Sequence, residues 1–503
     1  MEILHNLFLG FTAILQPETL LFCFIGVLIG TLIGVLPGIG PVGAMSLLLS
    51  ATYKMTPLSA VVMLAGIYYG AQYGGSTTSI LVNIPGEAAS VVTTLDGYQM
   101  ARKGRAGPAL GIAALGSFIA GTLGVIGLML IAPPLASAAL RFGPPEYFSL
   151  MCLGLTLLIY LTSGSLIRAM MMAALGVIIG CIGQDQETGA SRFVFGIPDL
   201  LDGVGLAPFV MGLFGISEVL LNIETSLEKQ SVFNTKITGL LPTRQDWADS
   251  AMPILRGSLI GFFLGILPGG GAVISSFASY AIEKKVSRHP EKFGHGAIEG
   301  VAGPEAANNA AAQGAFIPLL TLGIPPNVVM ALLLGALMIH GITPGPLLIP
   351  EHPEIFWGII ASMYIGNVML VVLNLPLIGL WVKVLEVPYK ILFPLIIMFC
   401  LIGAYSINNS TFDIAIMLLF GGLGYLMRKY KYDAAPMVLA FVLGPMLETS
   451  LRQSLLLSDG SFAIFFTRPI AGTGMALTLI MALSCIIPIF RSKREVIPIE
   501  EET

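Results

Sequence analysis

The side chains with chemistry to offer lie where an apolar chain should not carry them. Between Leu58 and Ile84 a largely hydrophobic run holds Tyr68, Tyr69, Gln72, Tyr73, Ser76, Thr77, Thr78, Ser79 and Asn83, and it ends in Asn83-Ile84-Pro85-Gly86-Glu87. A second polar run starts at Pro304-Glu305-Ala306-Ala307-Asn308-Asn309 and continues through Gln313-Gly314 to Gly323-Ile324-Pro325-Pro326-Asn327. Hydroxyls and amides can bond back to helical carbonyls and serve structure alone. So many in one span point instead to side chains that face a substrate or an ion. Hydroxyls of Ser76, Thr77 and Thr78, with Asn308 and Asn309, suit an anionic ligand. The oxygens of Asn83, Gly86 and Glu305, with those of Asn308 and Asn309, suit a hard coupling cation such as sodium. Two readings stay open for the acids: Glu305 is either a helix first-turn acid or an ion ligand, and Glu87 is either a cap or part of the site.

Two glycine-proline breaks must position these groups. Leu36-Pro37-Gly38-Ile39-Gly40 recurs as Leu267-Pro268-Gly269-Gly270-Gly271, an offset of 268 − 37 = 231 residues. Gly26, Gly30 and Gly34 precede the first break, and Gly257, Gly261 and Gly265 precede the second in the same register. Small residues at every fourth position let another helix approach closely, and Pro followed by Gly ends the helix and frees the backbone. Irregular backbone at membrane depth is tolerated only where protein buries it or where it lines a wet cavity. Broken helices at matching places in two halves mark the binding site of a secondary transporter. A half-helix that restarts after such a break presents unpaired N–H groups, so Gly38, Gly40, Gly269, Gly270 and Gly271 are candidate carboxylate binders.

Composition narrows the class. The chain has 503 residues, 55% of them hydrophobic and 11% charged, with a mean hydropathy of +0.87. A soluble domain carries about 25% charged residues, so this is a polytopic membrane protein. The net charge of −4 leaves no nucleic-acid footprint. The first residues show no basic region or small-residue cleavage site, and no cleaved leader is expected. Cys23, Cys152, Cys181, Cys400 and Cys485 are scattered through apolar runs, and His289, His295 and His352 lack metal spacing, so neither a metal centre nor a cofactor is expected. Without HExxH, GxGD or a phosphate-binding GxxxxGK[ST] loop, an intramembrane enzyme and direct ATP use are not expected.

The organisation follows from the repeat. Residues 1–19 read as an interfacial helix, 20–222 as a first transport repeat, 223–250 as a polar linker, 251–455 as a second repeat, and 456–503 as a last span with a cytoplasmic tail. Aligning Ile84-Pro85 with Ile324-Pro325 (324 − 84 = 240) sets Tyr68-Tyr69 against Asn308-Asn309. Matching loops differ in charge. Lys54 stands alone where the second half has Lys284, Lys285, Arg288 and Lys292, and Arg102-Lys103-Arg105 corresponds to the uncharged surroundings of His340. Lys and Arg favour the cytoplasmic side, so matching loops belong on opposite faces. The expected fold is an all-α polytopic membrane protein of two inverted-topology repeats with broken or re-entrant helices and roughly 10–12 spans.

The broken-helix motif, the run Tyr68-Tyr69-Gly70-Ala71-Gln72-Tyr73-Gly74-Gly75-Ser76-Thr77-Thr78-Ser79, the segment Asn83-Ile84-Pro85-Gly86-Glu87-Ala88 and the run Pro304 to Asn309 resemble the large membrane subunit of tripartite tricarboxylate transporters. The resemblance covers nearly the whole chain. It implies a multi-pass protein of the bacterial inner membrane that imports citrate or a related carboxylate, driven by a sodium or proton gradient. It also implies two partners, a small membrane subunit and a periplasmic solute-binding protein. Pro326 departs from the family's form, which has Gly there. Arg168 and Arg256 are the candidates for neutralising a tricarboxylate, but each sits near a span end, where snorkelling to the interface is the better explanation. A passive anion channel, which also uses re-entrant backbone, is the alternative, as is a carrier of a different organic acid.

Overall fold

The structure, a computed structural model, describes residues 2–36, 40–162, 165–185, 187–225, 239–269, 271–385 and 389–486. Gly38, Gly270, the middle of the 223–250 linker and the C-terminal tail beyond 486 lie outside the described residues. The fold is helical; the described strands are one antiparallel pair, Gly183–Gln184 with Ser191–Arg192. Among the described residues, seven helices are long and apolar enough to cross a membrane, and five shorter apolar helices of 10–17 residues accompany them. The sequence led to an expectation of roughly 10–12 spans.

Residues 1–140 and 205–430 form one compact unit. Its elements used below are α1 (Glu2–Ile14), α2 (Pro17–Val35), α3 (Gly40–Leu49), α4 (Pro57–Val82), α5 (Ala106–Ala139), α6 (Arg244–Ile266), α7 (Gly271–Val286), α8 (Glu299–Gly314), α9 (Val328–Ile339) and α10 (Pro353–Asn374). Each sequence break falls between two helices: α2 ends at Val35 and α3 begins at Gly40, and α6 ends at Ile266 and α7 begins at Gly271. Helix α6 has two faces set by its sequence. Met252, Leu255, Leu259 and Phe263 recur at helical spacing and stay exposed, whereas Gly257, Gly261 and Gly265 are buried. An apolar outward face over a small-residue inward face is what a helix needs between lipid and another helix.

The inward faces meet backbone. A Cβ at Gly26, Gly30 or Gly34 would fall 2.2–2.5 Å from the carbonyl oxygens of Met63, Ile67 and Ala71 on α4. A Cβ at Gly257, Gly261 or Gly265 would fall 2.1–2.3 Å from those of Gly303, Ala307 and Ala311 on α8. The three carbonyls in α8 lie 240 residues after those in α4 (303 − 63 = 240). The same packing thus occurs twice. In the same unit α1 lies along α10, with Gly10 against the Trp357 carbonyl and Ile14, Cys23, Val62 and Ala361 forming a small core.

Residues 141–204 and 431–503 form the second unit. Its helices are Pro144–Leu161, Leu166–Gly180, Ala435–Leu457 and Pro469–Ile486, with a short one at Ile464–Thr467. In its hairpin, Asp185 pairs with Arg192 and with Arg452 (2.8 Å). Both arginines also hold Glu448, at 2.9 and 2.7 Å. The Thr188 N–H foremost, then the Glu187 N–H and the two arginines, keep the Asp185 carboxyl well below the usual carboxylate range, against the opposing effect of burial.

Two outcomes follow from this packing. Gly261→Val places a side chain on the Ala307 carbonyl and lowers stability by about 1–3 kcal/mol or more, whereas Gly422→Ala, where a Cβ meets nothing within 4 Å, changes little; thermal unfolding of the purified chain in detergent reads both. A depressed carboxylate stabilises above its ordinary value of 3.8 and gives that up only below it. Amide exchange at Gln184 therefore stays slow from neutral pH down to about 4 and quickens on further acidification; protection lost above that value would remove Asp185 as the cause.

Candidate functional site

Two helices too polar to pass as spans carry the site. Helix α4 buries every residue from Ser59 to Leu81, and α8 buries every residue from Gly300 to Gly314. Local signals set their ends. Thr56 caps α4 by accepting from the Ser59 N–H, with Pro57 in the first turn. Asn83 closes α4 in the left-handed conformation, φ 61° and ψ 27°. After Ile84-Pro85-Gly86, the Glu87 carboxylate accepts from the Ala89 N–H at 3.0 Å and starts the next turn. The second half repeats this, with Gly323 (φ 70°) closing a helix and Asn327 accepting from the Met330 N–H at 2.9 Å to start α9.

Glu305, on α8, is fully buried. Its Oε2 accepts from the Ser76 hydroxyl of α4 at 2.5 Å, and its Oε1 accepts from the Thr93 hydroxyl. One turn on, the Asn309 amide donates to the Glu305 carbonyl at 3.1 Å and to the Ser117 hydroxyl of α5 at 2.7 Å. Asn308 donates to Glu87 Oε1 at 3.1 Å. With its amide nitrogen turned toward them, Gln72 of α4 donates to the same carboxylate at 3.0 Å and to Asn308 Oδ1 at 2.7 Å. Two carboxylates, five amide or hydroxyl partners on helices, and Thr93 on the turn between α4 and α5 thus form one polar cluster, buried but for the half-buried Glu87.

Asp96 fixes the turn that carries Thr93. Its buried carboxylate accepts from the Gly296 and Ala297 N–H groups at 2.7 and 2.8 Å and from the Tyr280 hydroxyl at 2.9 Å. This ties the turn to the chain entering α8 and to α7. The backbone around Asp96, Thr94–Tyr98, is a π-helical turn, a form that recurs at functional sites.

The cluster has no cationic side chain of its own. Among the described residues no Lys, Arg or His forms an ion pair with Glu87 or Glu305. Arg256 is taken up by Glu283, through Nε–Oε1 at 2.8 Å and Nη2–Oε2 at 2.5 Å. Arg168, in the second unit, donates to the Lys431 carbonyl at 3.3 Å and lies 5.1 Å over the Tyr432 ring. A buried carboxylate with only neutral donors is expensive while ionised and is relieved by a proton or a cation. That is the chemistry this arrangement can perform.

Of the residues read from the sequence, the structure gathers Ser76, Glu305, Asn308 and Asn309 into the cluster. Thr77 lines a small cavity beside it, with Tyr73, Ser76, Ser117 and Asn374. Thr78 faces elsewhere and donates to the Val35 carbonyl at the end of α2, at 2.7 Å. Asn83 is exposed at its helix end and is not brought to the cluster. Gly86 packs backbone to backbone: a Cβ there would lie 1.9 Å from the Gly34 carbonyl oxygen. Gly40 (φ 62°) and Gly271 open α3 and α7, and the Gly269 N–H is bonded to the Pro326 carbonyl at 3.0 Å. Gly38 and Gly270 lie outside the described residues. Gln72 was read as one polar residue of the run facing a substrate or ion, and Glu87 as either a cap or part of the site; in the structure Glu87 both accepts from the Ala89 N–H and meets Asn308. Thr93 sat in a stretch read only as polar, and Ser117 and Asn374 stand among apolar neighbours in α5 and α10 with no local signal.

A family model described as the tripartite tricarboxylate transporter TctA family matches residues 20–439. A protein of Agrobacterium vitis, described as an uncharacterized 52.8 kDa protein in the TAR-I ttuC' 3' region, is 52% identical over 502 residues and covers 100% of both chains. A second from the same organism, described as an uncharacterized protein in the TAR-II ttuC' 3' region, is 55% identical over 242 residues, 48% of this chain and 100% of its own length. No solved structure matches the chain.

The left-handed backbone at Asn83 gives a test of its role. Asn83→Gly should leave thermal stability unchanged within a few tenths of a kcal/mol, while Asn83→Val should lose about 1–2 kcal/mol. A large loss in the glycine variant would show that the amide side chain is needed and return Asn83 to the ligand set.

Proposed function

The chain belongs to the tripartite tricarboxylate transporter TctA family, and we propose that this membrane transporter subunit imports citrate or a related di- or tricarboxylate by alternating access, driven by a sodium or proton gradient. It works with a small membrane subunit and takes its substrate from a periplasmic solute-binding protein at the bacterial inner membrane. The observation that carries the coupling is Glu305: a fully buried carboxylate, held by hydroxyls from two other elements, with no cationic partner among the described residues. Such a group changes its energy steeply when a proton or cation arrives, which is what a coupling step needs.

The substrate's own charge needs donors, and the half-helices supply them. Helices α3 and α7 restart at Gly40 and Gly271, so each presents the positive end of its dipole at a break. The repeated glycine packing of α2 on α4 and of α6 on α8 supports a duplicated mechanism. The loop charges support opposite orientations for the two copies. Movement of one part of each repeat against the rest would then expose the breaks to alternate sides.

The reading is tested by uptake of labelled citrate into cells that express this chain with its small subunit and soluble receptor, with and without sodium and pH gradients, and with unlabelled carboxylates as competitors. Saturable, gradient-driven uptake is expected, and Glu305→Gln should abolish accumulation against a gradient while the protein is still made and inserted. No citrate uptake, with another acid competing for the receptor, would change the substrate and keep the carrier. Flux indifferent to both gradient and receptor would replace the carrier with a passive anion channel.

A further inference from the structure

Beside the carboxylate cluster, α4, α5 and the end of α10 enclose a cavity with room for one water-sized occupant. Leu110, Ala113 and Ala114 make its apolar side. Its polar side is made by four hydroxyl residues, Tyr73, Ser76, Thr77 and Ser117, and by Asn374. Two of these atoms, the Tyr73 hydroxyl and Asn374 Oδ1, are buried and have no hydrogen-bond partner, on residues only 3% and 4% exposed. The orientation of Asn374 is set by its own helix, because its Nδ2 donates to the Leu370 carbonyl at 2.9 Å and leaves Oδ1 for the cavity. Ser76 gives its hydrogen to Glu305 Oε2, so its lone pairs remain for another partner. Ser117 accepts from the Asn309 amide, which joins the cavity to the same network.

We infer that this cavity, lined by Tyr73, Ser76, Thr77, Ser117 and Asn374, binds a single dehydrated monovalent cation of the sodium class. The inference rests on the cation-coupled reading above and gives the ion a place. An all-oxygen shell suits a hard cation. Among the described residues no three His, Cys, Asp or Glu side chains gather to hold a metal, so the ligands here are neutral and the charge must come from nearby. Glu305 supplies one negative charge through Ser76, which balances a monovalent ion. A divalent ion would leave a net positive charge buried. The cavity ligands come from three helices, and the ion's counter-charge from a fourth, α8. Filling the cavity therefore ties α4, α5 and α10 to the helix that carries Glu305, Asn308 and Asn309.

The test is equilibrium binding of radiolabelled sodium to the purified full chain in lipid nanodiscs, with choline as the replacement ion, set beside sodium-gradient uptake by the complete transporter. Wild type should bind sodium saturably, and Asn374→Ala and Thr77→Val should each weaken binding by about tenfold or more, with melting temperatures in sodium-free buffer unchanged. Sodium binding of wild-type strength in both folded variants would place the ion elsewhere and overturn this site while leaving sodium coupling intact. Absence of sodium binding in wild type, with uptake driven by a pH gradient alone, would overturn the site as well and leave it a water pocket in a proton-coupled carrier. Uptake indifferent to every gradient would instead remove the coupled reading itself. If Asn374→Ala does not fold, Thr77→Val, which keeps the shape and removes the hydroxyl, decides the matter.

Discussion

A contact between backbones is what the rest of the first unit depends on. The glycines of α2 and α6 leave no room for a side chain between themselves and the carbonyls of α4 and α8. In lipid there is little hydrophobic force to press helices together, so close packing of small residues must do it. Here it does more than join helices. It shields the backbone and the polar side chains of α4 and α8 from lipid along their whole length. A helix with the sequence of α8, with its Glu, two Asn and Gln, would not stay in a membrane without that cover. The glycine rows and the polar helices are therefore one device.

Once those helices are buried, their polar groups must find each other. A lone buried acceptor is costly and a satisfied network is rigid. Glu305 meets Ser76 and Thr93, and Glu87 meets Asn308 and its own turn. Every partner is neutral. Glu283 differs, since Arg256 closes on it and balances its charge. The neutral donors around Glu305 and Glu87 hold the geometry without supplying a balancing charge.

The breaks, the polar helices and most of the cluster were legible because each breaks a local rule: proline and glycine in an apolar run, or amides and acids where lipid-spanning residues belong. Ser76, Asn308, Asn309 and Glu305 were readable for that reason. The backbone task of Asn83 was not, since an amide beside a proline turn gives no sign in the sequence that its backbone is left-handed. Gly86 was similar: its place is set by the Gly34 carbonyl against it, a long-range contact that no spacing shows. Ser117 and Asn374 were invisible because a single hydroxyl or amide in an apolar helix usually bonds back to its own backbone. Asn374 does so with its nitrogen, and only the packing of three helices reveals where its oxygen is aimed.

The duplicated positions separate what the backbone requires from what the chemistry uses. At 83 and 323 the chain must turn left-handed after a helix, and Asn or Gly does it. At 87 and 327 a side-chain oxygen must cap the next turn, and Glu or Asn does it. Those pairs share a structural task with different residues. Within the helices the difference is larger: the position matching Glu305 is Ala65, and those matching Asn308 and Asn309 are Tyr68 and Tyr69 (308 − 68 = 240). The packing is twofold but the chemistry is not. One copy supplies the Glu305 carboxylate and amides from α8, the other supplies hydroxyls and a capping acid from α4 and its turn, and the site exists only where the two unlike sets meet. A change that made the halves more alike, such as Glu305→Ala, would keep the glycine packing and remove the carboxylate that Ser76 and Thr93 hold.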